Sequence, residues 1–334
     1  MPNNGLVDRL PKVNNLNVPS GGVQPILVIS GPTASGKSQL ALALAERLVG
    51  EIINADSMQV YRELSILTGR PSPEDEARVP HHLYGIQSVS DVSSAGMWLK
   101  AAANVIEKVR NRNHLPIVCG GTGLYLKVLC EGLAPVPEIP TDLVARAREL
   151  YDIDGAAAFH TRLREIDPMA AERLPPTDRQ RLIRAYTVRQ ATGRTLDDWK
   201  SMQTRGSPVK GPFYTVNLKP PREDLYDRIN RRLIGMIELG ALSEVRRLDP
   251  NLGADIPALK ALGVAEFRSH IDGQCCLEEA IERSQKGTRN FAKRQATWFR
   301  NNLTANLLFE GFGECAEDIV IHKFLGAFEH LSHK

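Results

Sequence analysis

The chain has 334 residues, of which 42% are hydrophobic and 24% charged, and its formal net charge is +3. This composition is ordinary for a globular enzyme, and no apolar run reaches the roughly 18 residues that a membrane span needs. The first two dozen residues also lack the apolar core of a signal peptide. We therefore expect a cytoplasmic monomer with no membrane partner.

The five cysteines and eight histidines give no sign of a disulfide framework or a metal centre. No two cysteines form a CxxC pair and their number is odd, which favours reduced thiols. The only histidine cluster is His81–His82, and adjacent residues seldom share one metal ion. A structural role for this pair is the favoured interpretation.

Strands and helices alternate in the first part of the chain. The apolar run at 26–29, bounded by Pro25 and Gly31, predicts a buried strand, and the Ala/Leu-rich segment after it predicts a helix. In chain order we expect a strand at 26–29, a helix at 39–48, a strand at 51–53, a helix at 97–110, a strand at 115–119 and a helix from 123 to 129. This alternation predicts a parallel sheet in a doubly wound α/β fold.

The pattern breaks at the proline-rich segment 135–140. A helical stretch at 141–200, a linker at 206–212, a strand at 213–218 and helices at 225–248 and 277–301 follow, and one amphipathic helix is expected past Gly313. The predicted organisation is a flexible tail at 1–23, an α/β core at 24–137 and 212–312, a helical insertion at 138–211 and a C-terminal tail at 313–334.

The segment after the first predicted strand matches the phosphate-binding motif GxxxxGK[ST]. Its residues are Gly31, Pro32, Thr33, Ala34, Ser35, Gly36, Lys37 and Ser38. The two glycines let backbone N–H groups approach phosphate oxygens, Lys37 supplies a positive charge, and Ser38 can bind Mg²⁺. A chance match in a Gly-rich turn is disfavoured, because the motif lies between a strand and a helix. The fold class is therefore α/β, a P-loop-containing parallel sheet core with a helical insertion domain.

A P-loop alone does not identify the reaction that a protein catalyses. A small-molecule or nucleotide kinase would use the same loop with ATP, and a non-catalytic RNA-binding module would retain it without turnover. Two further segments follow predicted strands at the same edge of the sheet, where doubly wound folds bind ligands. Asp56 in the first could bind Mg²⁺, cap a helix or accept a proton. Thr122 in the second, 119–123, offers a hydroxyl beside glycines, which alone is a weak signal.

Together these segments resemble the tRNA dimethylallyltransferase family, also called tRNA isopentenyltransferase, in its bacterial form. The segments that carry the resemblance are GPTASGKS at 31–38, NADSMQVYREL at 54–64, PHHLYGI at 80–86, VCGGTGLYLKVLCEGL at 118–133, DRQRLIRA at 178–185, LYDRINRR at 225–232 and KRQATWFR at 293–300. They occur in the family's order from about Ile26 to Arg300, and no zinc-finger spacing follows the core.

The resemblance implies transfer of a dimethylallyl group from dimethylallyl diphosphate to N6 of the adenosine next to the anticodon, position 37 of tRNA, with release of diphosphate. The P-loop, 31–38, would bind the diphosphate together with Mg²⁺ on Ser38, and Arg228 would grip the leaving group. Asp56 would be the general base, with Thr122 at the same centre. The residues expected to contact the anticodon stem-loop are Asp56, Ser57, Met58, Gln59, Thr122, Gln180, Arg181, Leu182, Ile183, Arg184, Lys293 and Arg294.

Basic side chains recur along the last predicted helix of the core, at 286, 289, 293 and 300, and in the insertion. Either set fits a tRNA surface with the insertion acting as a lid, or a solvated charged face. The chain departs from the family pattern in three places. Arg70 stands where a lysine is more usual, Arg146 lies near an expected arginine that is Val144 here, and the segment around Gly263 lacks a tyrosine.

Overall fold

The computed structural model describes residues 23–202, 206–253 and 256–329, so the predicted tail at 1–23 lies outside the described residues apart from Val23. The described residues form two compact units. One consists of those up to Cys130 and from Ser207 onward, and the other of Glu131–Gly206. None of the described helices is both long enough and apolar enough to cross a membrane.

The first unit is built on a six-stranded sheet in which every strand pair is parallel. The strands are β1 (Ile26–Ser30), β2 (Gly50–Asn54), β3 (His81–His82), β4 (Leu115–Cys119), β5 (Phe213–Leu218) and β6 (Leu307–Phe309), in the order β3-β2-β4-β1-β5-β6. All residues of β1, β2 and β4 are buried, as expected for a parallel sheet that is covered on both faces. The predicted parallel α/β sheet is confirmed.

Helices cover both faces of this sheet. The helices of this unit are α1 (Lys37–Arg47), α2 (Pro73–Arg78), α3 (Ala95–Asn111), α4 (Gly123–Glu131), α9 (Arg222–Glu238), α10 (Ala241–Arg246), α11 (Val264–Ile271), α12 (Leu277–Asn302) and α13 (Glu317–Glu329), with short 3-10 helices at Pro257–Lys260 and Gly313–Cys315. Alternate residues of β1 point to opposite faces: Leu27 and Ile29 belong to one hydrophobic cluster, and Ile26 and Val28 to another. The core is therefore a three-layer sandwich centred on β1.

The second unit is entirely helical. Its helices are α5 (Thr141–Ile166), α6 (Pro168–Arg173), α7 (Arg179–Thr192) and α8 (Leu196–Ser201). α5 is kinked at Gly155, whose φ of 82° is outside the helical region. Phe159 and Leu163 of α5 pack against Leu182 and Ile183 of α7, so this unit has a hydrophobic core of its own.

The structure differs from the expected local structure in three places. The helix predicted at 225–248 is two helices, because Gly240 has a φ of 102° and ends the first of them. The short strands β3 and β6 were not predicted. The amphipathic helix expected past Gly313 is present as α13, and it buries Val320 and Phe324 in the same hydrophobic cluster as sheet residues, although the segment was set apart as a tail. Its hydrophobic residues therefore belong to the core.

A buried carboxylate fixes the end of the sheet away from the strands' carboxyl ends. Glu51, whose side chain is 1% exposed, accepts hydrogen bonds from Arg112 at 2.6 and 2.8 Å and pairs with His82 and His114 at 2.6 and 2.7 Å. Burial alone would raise the pKa of Glu51, but these hydrogen bonds outweigh it and lower the pKa to about 2. Glu51 therefore holds the edge strand β3 to the loop before β4, and His82 has the structural role expected for it.

Candidate active site

The 31–38 loop connects β1 to α1 and lies at the carboxyl edge of the sheet. Gly31 and Gly36 have φ values of 150° and 85°, which favour glycine. There is also no room for larger residues, because a Cβ on Gly36 would lie 2.6 Å from a carboxylate oxygen of Glu314. The loop thus curls tightly over the N-terminus of α1, where the helix dipole favours an anion.

Lys37 reaches back across this loop. Its Nζ donates a hydrogen bond to the carbonyl of Pro32 at 2.6 Å. Burial lowers the pKa of Lys37 to about 8; the charges of Cys119 and Asp56 oppose this shift and that of Arg232 adds to it. Burial likewise raises the pKa of the neighbouring Cys119 thiol to about 12, so this thiol is protonated at neutral pH. Lys37 is therefore a cation that a bound anion would stabilise strongly.

A cleft of about 610 Å³ opens in front of the loop. Thr33, Ser38 and the residues between them line one side, and Arg70, Arg228 and Arg232 contribute basic side chains. Arg228 donates hydrogen bonds to Glu314 and, at 3.2 Å, to Gln39, and its guanidinium lies 5.0 Å from the centre of the Phe312 ring. Lysine and arginine side chains around a curled backbone give this first cavity the chemistry of a phosphate site.

Local hydrogen bonds hold Asp56 just after the carboxyl end of β2. Its Oδ1 accepts from the N–H of Met58 at 2.9 Å, and its own N–H donates to the Asn54 side chain at 2.7 Å. Oδ2 accepts no hydrogen bond from residues 23–202, 206–253 or 256–329. Thr122 Oγ1 accepts from the N–H of Ser57 at 2.8 Å and donates to the Ser57 hydroxyl at 3.1 Å. The structure thus brings the predicted pair Asp56 and Thr122 together, with one carboxylate oxygen left for a substrate.

A second cavity, of about 340 Å³, adjoins the first. Its wall is largely apolar and contains Leu67, Ile229, Leu233, Met236 and Phe291, together with Asp56, Ser57, Met58, Thr122 and Arg294. The residues common to both cavities are Thr33, Ala34, Asp56, Thr68 and Arg232. The candidate general base therefore stands between a cationic cavity and an apolar one.

Arg232 is a site residue that sequence reasoning missed. Its Nη1 lies 3.4 Å from Thr33 Oγ1, to which it donates, and a Cβ on Gly69 would collide with its guanidinium. Burial lowers the pKa of Arg232, while the charge of Asp56 opposes this shift. The signal that could have found it is its i, i+4 spacing from Arg228, which places both arginines on one face of α9.

The residues expected to contact tRNA differ in their exposure and in their hydrogen bonds. Leu182 and Ile183 are buried in the core of the helical unit, so a contact of these two residues with tRNA, which stays a prediction, would have to use their backbone atoms. Their neighbours Gln180, Arg181 and Arg184 are exposed. In the first unit Gln59 donates to the carbonyls of Thr68 and Gly69, both at 2.9 Å, and its amide is therefore engaged within the fold.

The basic residues of α12 also differ from one another. Lys293 and Arg294 are both exposed, and of the two only Arg294 lines the second cavity, with its guanidinium 5.8 Å from the centre of the Phe291 ring. Arg70, where the resemblance expected a lysine role, lines the first cavity. The expected cationic environment is thus supplied by Arg70, although its geometry differs from that of a lysine.

The first cavity fits Mg²⁺ bound through a substrate. Among the described residues, no three His, Cys, Asp or Glu side chains lie close enough together to form a metal cage. Mg²⁺ usually keeps several waters and binds to phosphate oxygens with one or two protein ligands. Ser38 is exposed in the cavity one residue after Lys37, where its hydroxyl is available as such a ligand.

The fold and the site define a class: a parallel α/β protein with a cationic phosphate-type cleft at the carboxyl edge of its sheet. The family model described as IPP transferase matches residues 59–302, and the model described as isopentenyl transferase matches residues 24–87. This chain belongs to the IPP transferase family.

Individual relatives agree. A protein of Phenylobacterium zucineum named tRNA dimethylallyltransferase is 50% identical over 83% of this chain and 90% of its own length. The crystal structure of a tRNA isopentenylpyrophosphate transferase from Bacillus halodurans is similar, with a TM-score of 0.66 and 33% identity over 93% of this chain and 100% of its own. A eukaryotic dimethylallyltransferase acting on tRNA has a TM-score of 0.78 and 26% identity, with 93% of this chain and 85% of its own covered.

Proposed function

We propose that this chain transfers a dimethylallyl group from dimethylallyl diphosphate to N6 of the adenosine next to the anticodon, position 37 of tRNA, and releases diphosphate. The observation that carries the proposal is the position of Asp56 on the wall shared by the two cavities. A carboxylate there can face an incoming amine on one side of a leaving group held on the other. The names of the relatives support tRNA as the acceptor and dimethylallyl as the group transferred.

The first cavity suits the diphosphate. When the bond between the allylic carbon and the diphosphate oxygen breaks, negative charge builds on the diphosphate. Lys37, Arg228 and Arg232 lie around the loop whose N–H groups would cradle it, and together they stabilise that charge. Ser38 would hold Mg²⁺, which supplies further positive charge to the same oxygens when bound.

The wall around Asp56 suits the acceptor. An adenine amine is a weak nucleophile because its lone pair is delocalised, so it must be aligned with the allylic carbon and lose a proton as the new bond forms. Asp56 takes that proton while N6 bonds to the carbon and diphosphate departs. Thr122 holds the backbone after Asp56 through Ser57. The adenosine must leave its stack to enter, which an anticodon loop permits more easily than a duplex.

The test is to incubate the protein with unmodified tRNA, Mg²⁺ and dimethylallyl diphosphate, and to analyse the nucleosides by mass spectrometry. We expect prenylated adenosine, mapped to position 37 by sequencing of the modified fragment. A parallel reaction with ATP in place of the prenyl donor tests the kinase alternative. Phosphoryl transfer without any prenylated adenosine would contradict the proposal.

Two variants separate catalysis from binding. Asp56→Ala should abolish turnover, whereas the affinity for tRNA should change little, because the variant removes one contact of many. Lys293→Ala on the exposed face of α12 should weaken tRNA binding without changing the single-turnover rate at saturating tRNA. An Asp56→Ala protein with full activity would exclude Asp56 as the base. A parent protein that binds tRNA without any prenyl transfer would leave only RNA binding.

A further inference from the structure

Gln295 lies in the middle of α12 and joins two loops of the active site. Its side chain is buried, with the residue only 6% exposed. Oε1 accepts a hydrogen bond from the backbone N–H of Thr33 at 2.8 Å, and Nε2 donates to the backbone carbonyl of Gly121 at 2.9 Å. One amide group therefore connects the phosphate-type loop to the loop that carries Thr122.

The two contacts need both ends of a carboxamide. The Thr33 N–H requires an acceptor and the Gly121 carbonyl requires a donor, and glutamine supplies one of each at a fixed separation. Leaving either backbone group without a partner would cost the free energy of removing it from water. Among other side chains, only asparagine carries the same two groups, and it is shorter by one methylene.

The fit around Gln295 is tight. A Cβ on Gly121 would lie 2.4 Å from Nε2 of Gln295, and one on Gly123 would lie 2.2 Å from the Trp298 ring one turn further along α12. Gly121 is also next to the base, since the same Cβ would lie 3.4 Å from Oδ2 of Asp56. Thus α12 packs directly against the segment at 121–123, which lies beside the general base, and the two glycines permit this close contact.

Gln295 connects the two sides of the proposed active site. Thr33 belongs to the loop that would hold the leaving group, whereas Gly121 and Thr122 belong to the side that would hold the attacking amine. The bond that breaks and the bond that forms share one carbon, so the spacing between these two sides determines the alignment. A misplacement of about 1 Å can reduce a rate about 100-fold while each substrate still binds.

We propose that Gln295 is a positioning residue that fixes the spacing between the diphosphate-binding loop and the Asp56–Thr122 side of the site. The inference rests on the proposed function and adds to it a residue that touches neither substrate. It also gives a physical reason for the glutamine in the KRQATWFR segment, which carried the family resemblance without a role of its own.

The test replaces Gln295 by methionine, which has a similar size and neither hydrogen bond, and by asparagine, which has both groups but a shorter reach. Ser284→Ala is the matched control: Ser284 is also buried on α12, and its hydroxyl has no hydrogen-bond partner among the described residues. The readouts are kcat for prenyl transfer, the Kd of dimethylallyl diphosphate by calorimetry, and Tm.

For Gln295→Met we expect kcat to fall about 10- to 100-fold, with the donor Kd within about threefold of the parent. Gln295→Asn should fall between methionine and the parent, and Ser284→Ala should match the parent. A folded Gln295→Met protein with kcat within about twofold of the parent would overturn the inference. So would parallel losses of kcat, donor affinity and Tm, because these would indicate a general structural role.

Folding problems and failure of the parent protein remain distinguishable. If Gln295→Met does not fold, Gln295→Asn decides by the same criteria, since it keeps the polar groups that the buried site can pair. An inactive parent protein would overturn the proposed function and with it the reaction to which this inference refers. An active parent with equally active Gln295 variants would overturn the inference alone.

Discussion

The buried lysine of the phosphate-type loop should make donor binding depend on pH. Burial lowers the pKa of Lys37 to about 8, against about 10.4 for a free lysine. A diphosphate ester favours the protonated amine, so its binding raises that pKa again. Above pH 8 the free protein has lost this proton and must take it up on binding, and the affinity therefore falls as the pH rises.

The size of the effect follows from the pKa. The apparent Kd is multiplied by one plus the ratio of neutral to charged Lys37, a factor of about 1.1 at pH 7 and about 11 at pH 9. Binding should therefore weaken about tenfold between these two values, with uptake of about 0.9 proton at pH 9. The last ionisation of a phosphate ester, near about pH 6, is nearly complete over this range and does not hide the change.

Calorimetry with dimethylallyl diphosphate in buffers of different ionisation enthalpy measures both the Kd and the number of protons taken up. Lys37→Arg keeps a permanent charge and should lose the pH dependence, even if its overall affinity is lower. Lys100→Arg, at an exposed position on α3, makes the same substitution away from the site and should retain the tenfold effect. A parent Kd that is constant from pH 7 to 9, with no proton uptake, would refute the reasoning about Lys37.

Two predictions concern stability. Gly120→Ala should destabilise by several kcal/mol or prevent folding, since its Cβ would lie 2.1 Å from the backbone of Ala55. Gly287→Ala in α12 would place its Cβ at an ordinary contact distance of 3.8 Å from Glu266 and should raise the free energy of unfolding by about 0.5–1 kcal/mol. Equal Tm values for the two variants would contradict this. Glu51→Gln should cost about 1–3 kcal/mol at pH 7. Hydrogen bonds from Arg112 and the histidine partners lower the pKa of Glu51 to about 2, so its contribution to the free energy of unfolding is lost as the pH falls from about 4.3 toward 2. The free energies of unfolding of parent and variant should therefore become equal near pH 2. A difference that grows in acid would contradict this.

The parts of the fold that were predictable are those with local signals. The strands at 115–119 and 213–218 are apolar runs between loop residues, and the structure has them at the predicted residues. The strands β3 and β6 have two and three residues, too few to show a period, and they exist because neighbouring strands offer them hydrogen bonds. The break at Gly240 was overlooked since a single glycine inside a helical pattern is often tolerated.

Some residues of the candidate site could likewise be predicted from local signals, whereas others depend on the folded structure. Asp56 and Thr122 each follow a strand directly, so the fold class alone places them at one edge of the sheet. Gln295 contacts Thr33 across 262 positions of sequence, and its role depends on where α12 crosses the sheet. Leu182 and Ile183 are a different case: they were included as part of a matching segment, although helical spacing would assign these two apolar side chains to the buried face.

Glu314 is a further site residue that the sequence alone does not connect to the site. Its carboxylate accepts a hydrogen bond from Arg228 and lies beside Gly36. A diphosphate would have to compete with this carboxylate for the same guanidinium. Replacing it by the neutral amide in Glu314→Gln removes about 1 kcal/mol of charge-assisted interaction, so the donor Kd should tighten about fivefold. Glu310→Gln, which breaks an exposed ion pair with Lys219, makes the same change of charge away from the site and should leave the Kd unchanged. A weaker Kd in Glu314→Gln would mean that the carboxylate assists the donor, and the competition argued here would be wrong.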